Sequence, residues 1–443
     1  MTTQPPKQLR IAIVGAGIGG LSCAVALKDC TDVQLDLYEQ APQMTEIGAG
    51  VTVWPRTWGM LKAMGMEEEL VKRLKEPPKL DEPMIAFAFR KSDQEEGYPL
   101  VDLKIDGGSL NFHRKDIHQA LLQQLPSFGK IHLNHRLEYC KETDRGVELK
   151  FLNGNMAECD LLIGADGVKS VVRRCVKGEG HASPVYTGTV AFRGLVPREK
   201  LAKVHPGHRT LDRPLQYCGK DRHIVVYPIS QNQIVNVVAF YSKMEDLGKP
   251  LRTPEVREAR LDEVLEIYKG WEPEVQELLG CIENPTCWVI QDLDPLESYI
   301  TDRTLLLGDA SVNLLINKVW QAHAMTPHLG AGAGQAMEDA YILGAIISAS
   351  SRTKDDIPRI LETYDAVRKP FANYIMSTAR EQGTCYEMNA PEFQSVKEQG
   401  MVLSEEQISV FANTVKQNWS WATSSVDRDR QRAVTMMASS GKL

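Results

Sequence analysis

Apolar and polar positions along the chain fall into two rhythms, and their order predicts a mixture of strands and helices. Residues 11–14 form a continuous apolar run, as a strand covered on both faces requires. The run enters Gly15-Ala16-Gly17-Ile18-Gly19-Gly20, then a helix-like stretch at 21–27, then a second strand at 33–38 that ends on Glu39. Residues 56–74 carry charged and apolar positions at helical spacing and stop before Pro77-Pro78, which predicts one amphipathic helix. Segments 84–89 and 101–105 read as a strand pair. Val147, Leu149 and Phe151 alternate with polar residues up to Asn153-Gly154, a hairpin signal, and a buried strand follows at 160–163. Three strand-like stretches at 185–196, 223–229 and 234–241 surround loops rich in Pro and Gly, which predicts a separate mixed β lobe. Beyond it, 256–279 reads as helix, 288–293 and 304–307 as strands, and 335–348 and 357–378 as helices.

The first of these units carries chemistry. Gly15 permits a tight turn after the strand, Gly17 lets backbone approach a pyrophosphate, and Gly20 lets helix and strand pack closely. The helix N-terminus offers free N–H groups to an anion, and Glu39, nineteen positions past Gly20, can accept from ribose hydroxyls. Strand, glycine turn, helix and terminal acid together predict a Rossmann-like dinucleotide site. Gly164-Ala165-Asp166-Gly167 and Gly308-Asp309-Ala310 each follow a predicted strand. Ligands of open α/β sheets bind at the carboxyl ends of strands, so these clusters point to the same crevice.

Composition narrows the class. The 443 residues include 51 basic and 58 acidic side chains, a net charge of −7, with 43% hydrophobic and 25% charged residues. Such a chain is long enough for two or three lobes with a large core. It has no basic patch for nucleic acid, so small-molecule partners are expected. Nine cysteines without a C-x-x-C pair read as thiols of a reducing compartment, and a cytoplasmic location is expected. Lys7 and Arg10 before the apolar 11–27 mimic a signal peptide, but the glycine fingerprint explains that run. No stretch approaches the roughly 20 apolar residues of a transmembrane segment. The C-terminal Gly441-Lys442-Leu443 only half matches a peroxisomal address. His113 with His118 and His323 with His328 are five apart, off the spacing of a helical zinc site, so no metal is expected. Trp419-Ser420-Trp421 reads as packing for a terminal helix.

Taken together with Glu46-Ile47-Gly48-Ala49-Gly50, His113-Arg114-Lys115-Asp116, the run 160–173 and Pro327-His328-Leu329-Gly330-Ala331-Gly332-Ala333, these motifs resemble the FAD-dependent aromatic hydroxylases over residues 11–383. That family comprises single-component flavoprotein monooxygenases, and the similarity is to its salicylate hydroxylase-like branch. The resemblance implies an α/β fold with a Rossmann-like FAD-binding domain, discontinuous over 1–75, 106–180 and 288–375. A mixed β-sheet substrate domain would span 76–105 and 181–287, and a C-terminal helical region 376–443. It also implies that Glu39 holds the adenosine ribose, Arg114 reaches the phosphates or ribityl, and Asp309 bonds the ribityl chain. Gly50, Thr52 and the backbone of Gly332 and Ala333 would line the flavin. Asp166 would serve the motif linked to FAD and NAD(P)H, the nicotinamide docking transiently without a fold of its own. Phe192-Arg193-Gly194 and Val226-Tyr227-Pro228 are similar to the strands that present an arginine and a tyrosine to a bound phenol, where charge and hydrogen bond favour phenolate.

The implied activity is hydroxylation of a phenolic compound with FAD, O2 and NADH or NADPH. A hydroxybenzoate, salicylate-like or 4-hydroxybenzoate-like, leads the substrate classes, and attack at a carboxyl-bearing carbon would expel CO2. The alternatives are hydroxylation or dearomatisation of a larger phenol in secondary metabolism, a flavin oxidase or reductase without oxygen insertion, and an impaired flavin-binding protein. The last is motivated by residues 311–321, which separate Gly308-Asp309-Ala310 from Ala322-His323-Ala324-Met325-Thr326-Pro327 where the family runs on without a break. The insertion reads either as a misassigned exon boundary, the favoured reading, or as a bulge outside the flavin pocket. Residues 384–443 are free to pack on the body or to pair with a second copy as a homodimer.

Overall fold

The computed structural model describes residues 8–44, 50–177, 185–251, 254–292, 298–310 and 327–439. The insertion 311–321, the motif residues 46–49 and the C-terminal 441–443 lie outside them. A five-stranded parallel sheet is built on Leu9–Val14, which pairs with Leu161–Gly164 on one side and Val33–Tyr38 on the other. Thr304–Leu306 and Gly129–His132 complete the two edges. Three strand ends thus bring Gly15, Gly164 and Leu307 side by side, because parallel strands share one carboxyl edge.

The helix Ile18–Ala26 packs against Gly332–Ser348, and small residues set the separation. A methyl on Gly344 would stand 2.6 Å from the Ala26 Cβ, and one on Gly19 2.9 Å from Leu307. That contact brings the turn around Gly332 to the first glycine turn. A buried ionic chain fixes it from behind. The Asp339 carboxylate accepts from the Gly308 N–H at 3.0 Å and from Arg368 Nε at 2.6 Å. Arg56 donates to Glu338 at 3.0 Å and to Asp429 at 2.9 Å, so the helix Asp427–Ser439 is tied to the same frame. Removing one partner of such a chain strands the other charge, a cost of about 3–5 kcal/mol.

The second layer is an eight-stranded mixed sheet formed by strands within 83–106 and 185–292. Its two faces follow from strand alternation. In Ile234–Ser242, Val235, Val237 and Ala239 join an apolar cluster with Val264, Val275, Leu278 and Leu279 of the helices Leu261–Ile267 and Pro273–Gly280. Asn236, Val238 and Phe240 face the other way, toward the parallel sheet. The helix Glu405–Asn418 packs on the body, where Phe411 and Val415 share a cluster with Trp54, Phe89 and Tyr386.

Three predicted helices differ from the structure. The segment 56–74 is two helices, Pro55–Ala63 and Glu67–Val71, because Gly65 takes the left-handed conformation (φ 83°) and breaks the run. The segment 256–279 is a short strand, Val256–Glu258, and two helices, separated at Gly270 (φ 79°) and Pro273. The helix beginning at Ile357 continues to Tyr386 through Gly383, whose missing side chain makes room for His328, only 2.3 Å from where a Cβ would stand. Among the described residues no helix is long and apolar enough to cross a membrane.

Candidate active site

Two cavities, of about 330 and 380 Å³, share Gly17, Arg114, Ala165 and Gly167 and form one continuous trough across the carboxyl edge of the parallel sheet. One end is polar. The Glu39 carboxylate accepts from the Ala16 N–H at 2.9 Å and the Ala41 N–H at 2.8 Å, which fixes it at the trough wall with lone pairs to spare. Gly15 (φ 99°) lies so close to the neighbouring strand end that a Cβ would meet the Ala165 carbonyl at 2.4 Å. Gly20 does not line the trough. It sits beneath the turn, where a Cβ would be 1.9 Å from the Gly15 carbonyl, so its task is packing.

Asp166 faces the same end and caps the helix Val171–Lys177, accepting from the Ser170 hydroxyl at 2.5 Å and the Val171 N–H at 2.7 Å. Burial raises its pKa, and these hydrogen bonds oppose the rise. Arg173 of that helix donates to the carbonyls of Asp309 and Ala310 at 3.2 and 3.3 Å, joining the second and third strand ends. Asp309 opens onto the trough yet is enclosed by protein around its base. Enclosure pushes its carboxyl up, while Arg114 and Arg173 pull it down. Gly332 and Ala333 also line the trough, as the first turn of the helix Gly332–Ser348 rather than as a loop.

The other end is roofed by the eight-stranded sheet. Arg193, Val238, Val225 and Gln216 form one row across four adjacent strands, and Asn236 pairs with Tyr227 in the next row. Gly50 touches that second row: its N–H donates to Asn236 Oδ1 at 3.3 Å, and a Cβ on it would be 2.3 Å from the Tyr227 ring. Thr52 donates to Asn111 at 2.9 Å beside it. Burial pushes the Tyr227 hydroxyl up to about 12, opposed by Arg193 and Thr52. Burial lowers the Arg193 pKa, and its guanidinium lies 4.9 Å from the Trp288 ring centre. Among the described residues Arg193 has no carboxylate partner. Among the described residues, Arg193 Nε, Gln216 Nε2, Asn236 Nδ2 and Trp419 Nε1 are buried donors without an acceptor, all on residues of this cavity. Such a set calls for a ligand rich in acceptor oxygens.

Sequence reasoning thus placed Gly15, Gly17, Glu39, Gly50, Thr52, Arg114, Asp166, Arg193, Tyr227, Asp309, Gly332 and Ala333 on one trough. It missed Trp54, Phe87, Gln216, Asn236 and Phe240. Trp419 packs with Phe411 and Val415 of the terminal helix Glu405–Asn418, as expected, and it also lines the cavity, its ring centre 5.8 Å from that of Trp54. The signal available was a buried polar residue in an apolar strand, Asn236 within Ile-Val-Asn-Val-Val and Gln216 within Leu-Gln-Tyr. His328 belongs to a buried run that ends on the cavity wall. Glu387 meets His223 Nδ1 at 3.0 Å, and His223 Nε2 meets His328 Nδ1 at 3.1 Å. An ionised Glu387 can only accept, so the donors run from His328 to His223 to Glu387.

The residues present fit FAD: a trough with glycines where backbone must approach, a fixed acid at one end, and a second cavity for a ring at the other. Comparison with known proteins agrees. The family model described as an FAD binding domain matches residues 8–379. A salicylate hydroxylase of Pseudomonas putida is 35% identical over 86% of this chain and 87% of its own. A 6-methylsalicylate 1-monooxygenase of Aspergillus terreus is 31% identical over 85% and 82%. A solved salicylate hydroxylase substrate complex superposes with a TM-score of 0.80 at 29% identity, covering 96% of this chain and 98% of the other. With this trough and these relatives, the chain belongs to the FAD-binding-domain family of aromatic hydroxylases and is an FAD-dependent monooxygenase.

Proposed function

We propose that the protein hydroxylates a phenolic aromatic acid, a hydroxybenzoate of the salicylate or 4-hydroxybenzoate type, using O2 and reducing equivalents from NADH or NADPH. One observation carries the reading: the donors of Arg193, Gln216 and Asn236, unpartnered among the described residues, surround with the Tyr227 hydroxyl an apolar patch of Val225 and Val238 in the roofing sheet. A flat ring suits the patch, and carboxylate or phenolate oxygens suit the donors.

Each residue then has a task. The backbone at Gly15 and Gly17 admits the pyrophosphate, Glu39 accepts from the adenosine ribose, and Arg114, common to both cavities, neutralises phosphate charge. Asp309 accepts from the ribityl chain, and Gly50, Thr52, Gly332 and Ala333 flank the flavin ring. Asp166 holds its helix, and with it Arg173, against the strand end at Asp309 and Ala310. FAD held by these residues would supply the redox chemistry, hydride acceptance and the activation of O2.

At neutral pH Tyr227 is a neutral hydrogen-bond donor, because its pKa lies at about 12. Arg193 stays charged, and the attraction of an unpaired cation for a phenolate or carboxylate orients the ring. Electron density at the ring carbon to be hydroxylated rises as the phenol proton leaves. Trp54, Phe87, Phe240 and Trp419 wall the cavity and keep water from diverting the activated oxygen to hydrogen peroxide. The test is NADH and NADPH oxidation by the yellow protein across a panel of hydroxybenzoates, with product and peroxide both quantified. Faster oxidation with stoichiometric hydroxylated product is expected for one phenol. Peroxide as the sole product with every phenol would overturn the reading in favour of a flavin oxidase.

A further inference from the structure

Outside the trough, two thiols meet. Cys140 lies in the strand Leu137–Thr143 and Cys175 in the helix Val171–Lys177, which packs on that strand. The Cys140 N–H donates to Cys175 Sγ at 3.1 Å, which brings the two cysteines side by side. Cys175 is exposed and Cys140 half-buried, whereas the other seven cysteines are all buried. A sulfur that receives an N–H bond is favoured as thiolate. The adjoining Cys140 is the main cause that lowers Cys175 to about 7, and Cys175, with burial, raises Cys140. Burial alone raises Cys23, and burial is the largest cause raising Cys159, Cys218 and Cys385. The pair therefore combines an accessible attacking sulfur with a neighbour in place to resolve it.

We propose that Cys140 and Cys175 form a peroxide-reactive dithiol that closes to an intramolecular disulfide. The Cys175 thiolate attacks one oxygen of hydrogen peroxide; the O–O bond breaks, leaving a sulfenic acid and hydroxide. The Cys140 sulfur then attacks the sulfenyl sulfur, the S–O bond breaks, and water leaves. In sum, two thiol hydrogens and two electrons pass to one peroxide and two waters form. The oxidant is the by-product that a flavin monooxygenase releases whenever activated oxygen escapes without reaching a substrate. The dithiol adjoins the trough: Val171, at the start of the same helix, lines its polar end. Arg173, two residues before Cys175, holds the carbonyls of Asp309 and Ala310. Closing the bridge would tie the helix beneath the trough to the neighbouring antiparallel sheet. None of this depends on which phenol is hydroxylated.

The experiment uses the full-length, FAD-loaded protein, reduced, freed of reductant, treated with a few equivalents of hydrogen peroxide near pH 7.5, alkylated and cut with trypsin. Cleavage after Arg136 and Arg174 releases residues 137–141 and 175–177, each holding one of the two cysteines. The expected product is these two peptides joined, two hydrogens lighter than their sum, found in monomeric protein and separated again by dithiothreitol. The Cys140→Ser variant should stop at a Cys175 sulfenic acid that dimedone captures. In Cys175→Ser, Cys140 should lose its thiol at least ten-fold more slowly than in the parent. Retained FAD absorbance in both variants verifies the fold. Recovery of both cysteines in alkylated form, Cys175 sulfinic acid beside a free Cys140, or a bridge found only between two chains would each overturn the proposal.

Discussion

Arg193 offers a perturbation in which stability and function should move in opposite directions. Its guanidinium is desolvated and lacks a carboxylate among the described residues, with another cation, Arg114, disfavouring its charge. Its guanidinium lies 4.9 Å from the Trp288 ring centre. Replacing it by methionine keeps the apolar stem and removes the charge. Relieving a buried unpaired charge stabilises, and function-relieving substitutions of this type contribute about 0.5–2 kcal/mol. For a chain of this size that is a rise on the order of 1–3 °C in Tm. A charge-assisted hydrogen bond to an aromatic acid is worth about 1.5–3 kcal/mol, so the substrate Kd should rise roughly ten- to hundred-fold. FAD content should stay the same, because Arg193 belongs to the roofing sheet and not to the glycine turns. The assays are thermal unfolding of the flavin-loaded protein, flavin absorbance per chain, and substrate titration by flavin fluorescence. A variant that melts several degrees lower while binding substrate as the parent does would refute the reasoning.

Gly20→Ala places a methyl 1.9 Å from the Gly15 carbonyl, so the turn must shift; purified protein should carry at most a tenth of the parent's FAD, read from its absorbance near 450 nm. Tyr227→Phe tests the raised tyrosine. Its folded pKa of about 12 exceeds the ordinary 10, so the neutral hydroxyl contributes stability below pH 10 that is lost as pH rises through 12; between pH 9 and 11 the parent should lose about 1.3 kcal/mol more than the variant does. Urea melts at pH 9 and 11 measure the difference, and equal losses would sink the assignment. Glu387→Ala leaves His223 Nδ1 buried without its acceptor, a cost of about 1–3 kcal/mol that Glu387→Gln should largely spare, as urea midpoints will report. Deleting 311–321 should raise FAD occupancy; equal occupancy in both chains would show that the insertion is neutral.

Local pattern carried the nucleotide end of the site into view. Gly15, Gly17, Gly20 and Glu39 fall within 25 residues, the glycines set by backbone geometry and the acid by its place at a strand end, both of which sequence spacing encodes directly. Asp166 and Asp309 were legible for the same reason, as residues just past buried strands. Arg193 and Tyr227 came from resemblance, since neither spacing nor periodicity says that their strands lie on one face. The rest of the aromatic end was not legible. Trp54 meets Trp419 across 365 residues of chain, and Gln216 reaches Arg193 only through the register of four strands. The helix errors have a plainer origin: Gly65 and Gly270 end helices through their left-handed backbone, whereas Gly383 stays inside one because His328 needs its space.

The distance in sequence between Trp54 and Trp419 sets an order of events during synthesis. A polypeptide grows from its N-terminus, so the glycine turn, Glu39 and Asp166 emerge hundreds of residues before the indole that walls the far cavity. The first glycine turn is therefore made while the aromatic chamber is still open on one side. A chain ended before residue 419 would lack both that wall and Asp429, which Arg56 holds together with Glu338 behind the trough. Closing the chamber and completing the ionic frame both wait for residues 419–429, so the two ends of the trough become whole at the same late stage of synthesis.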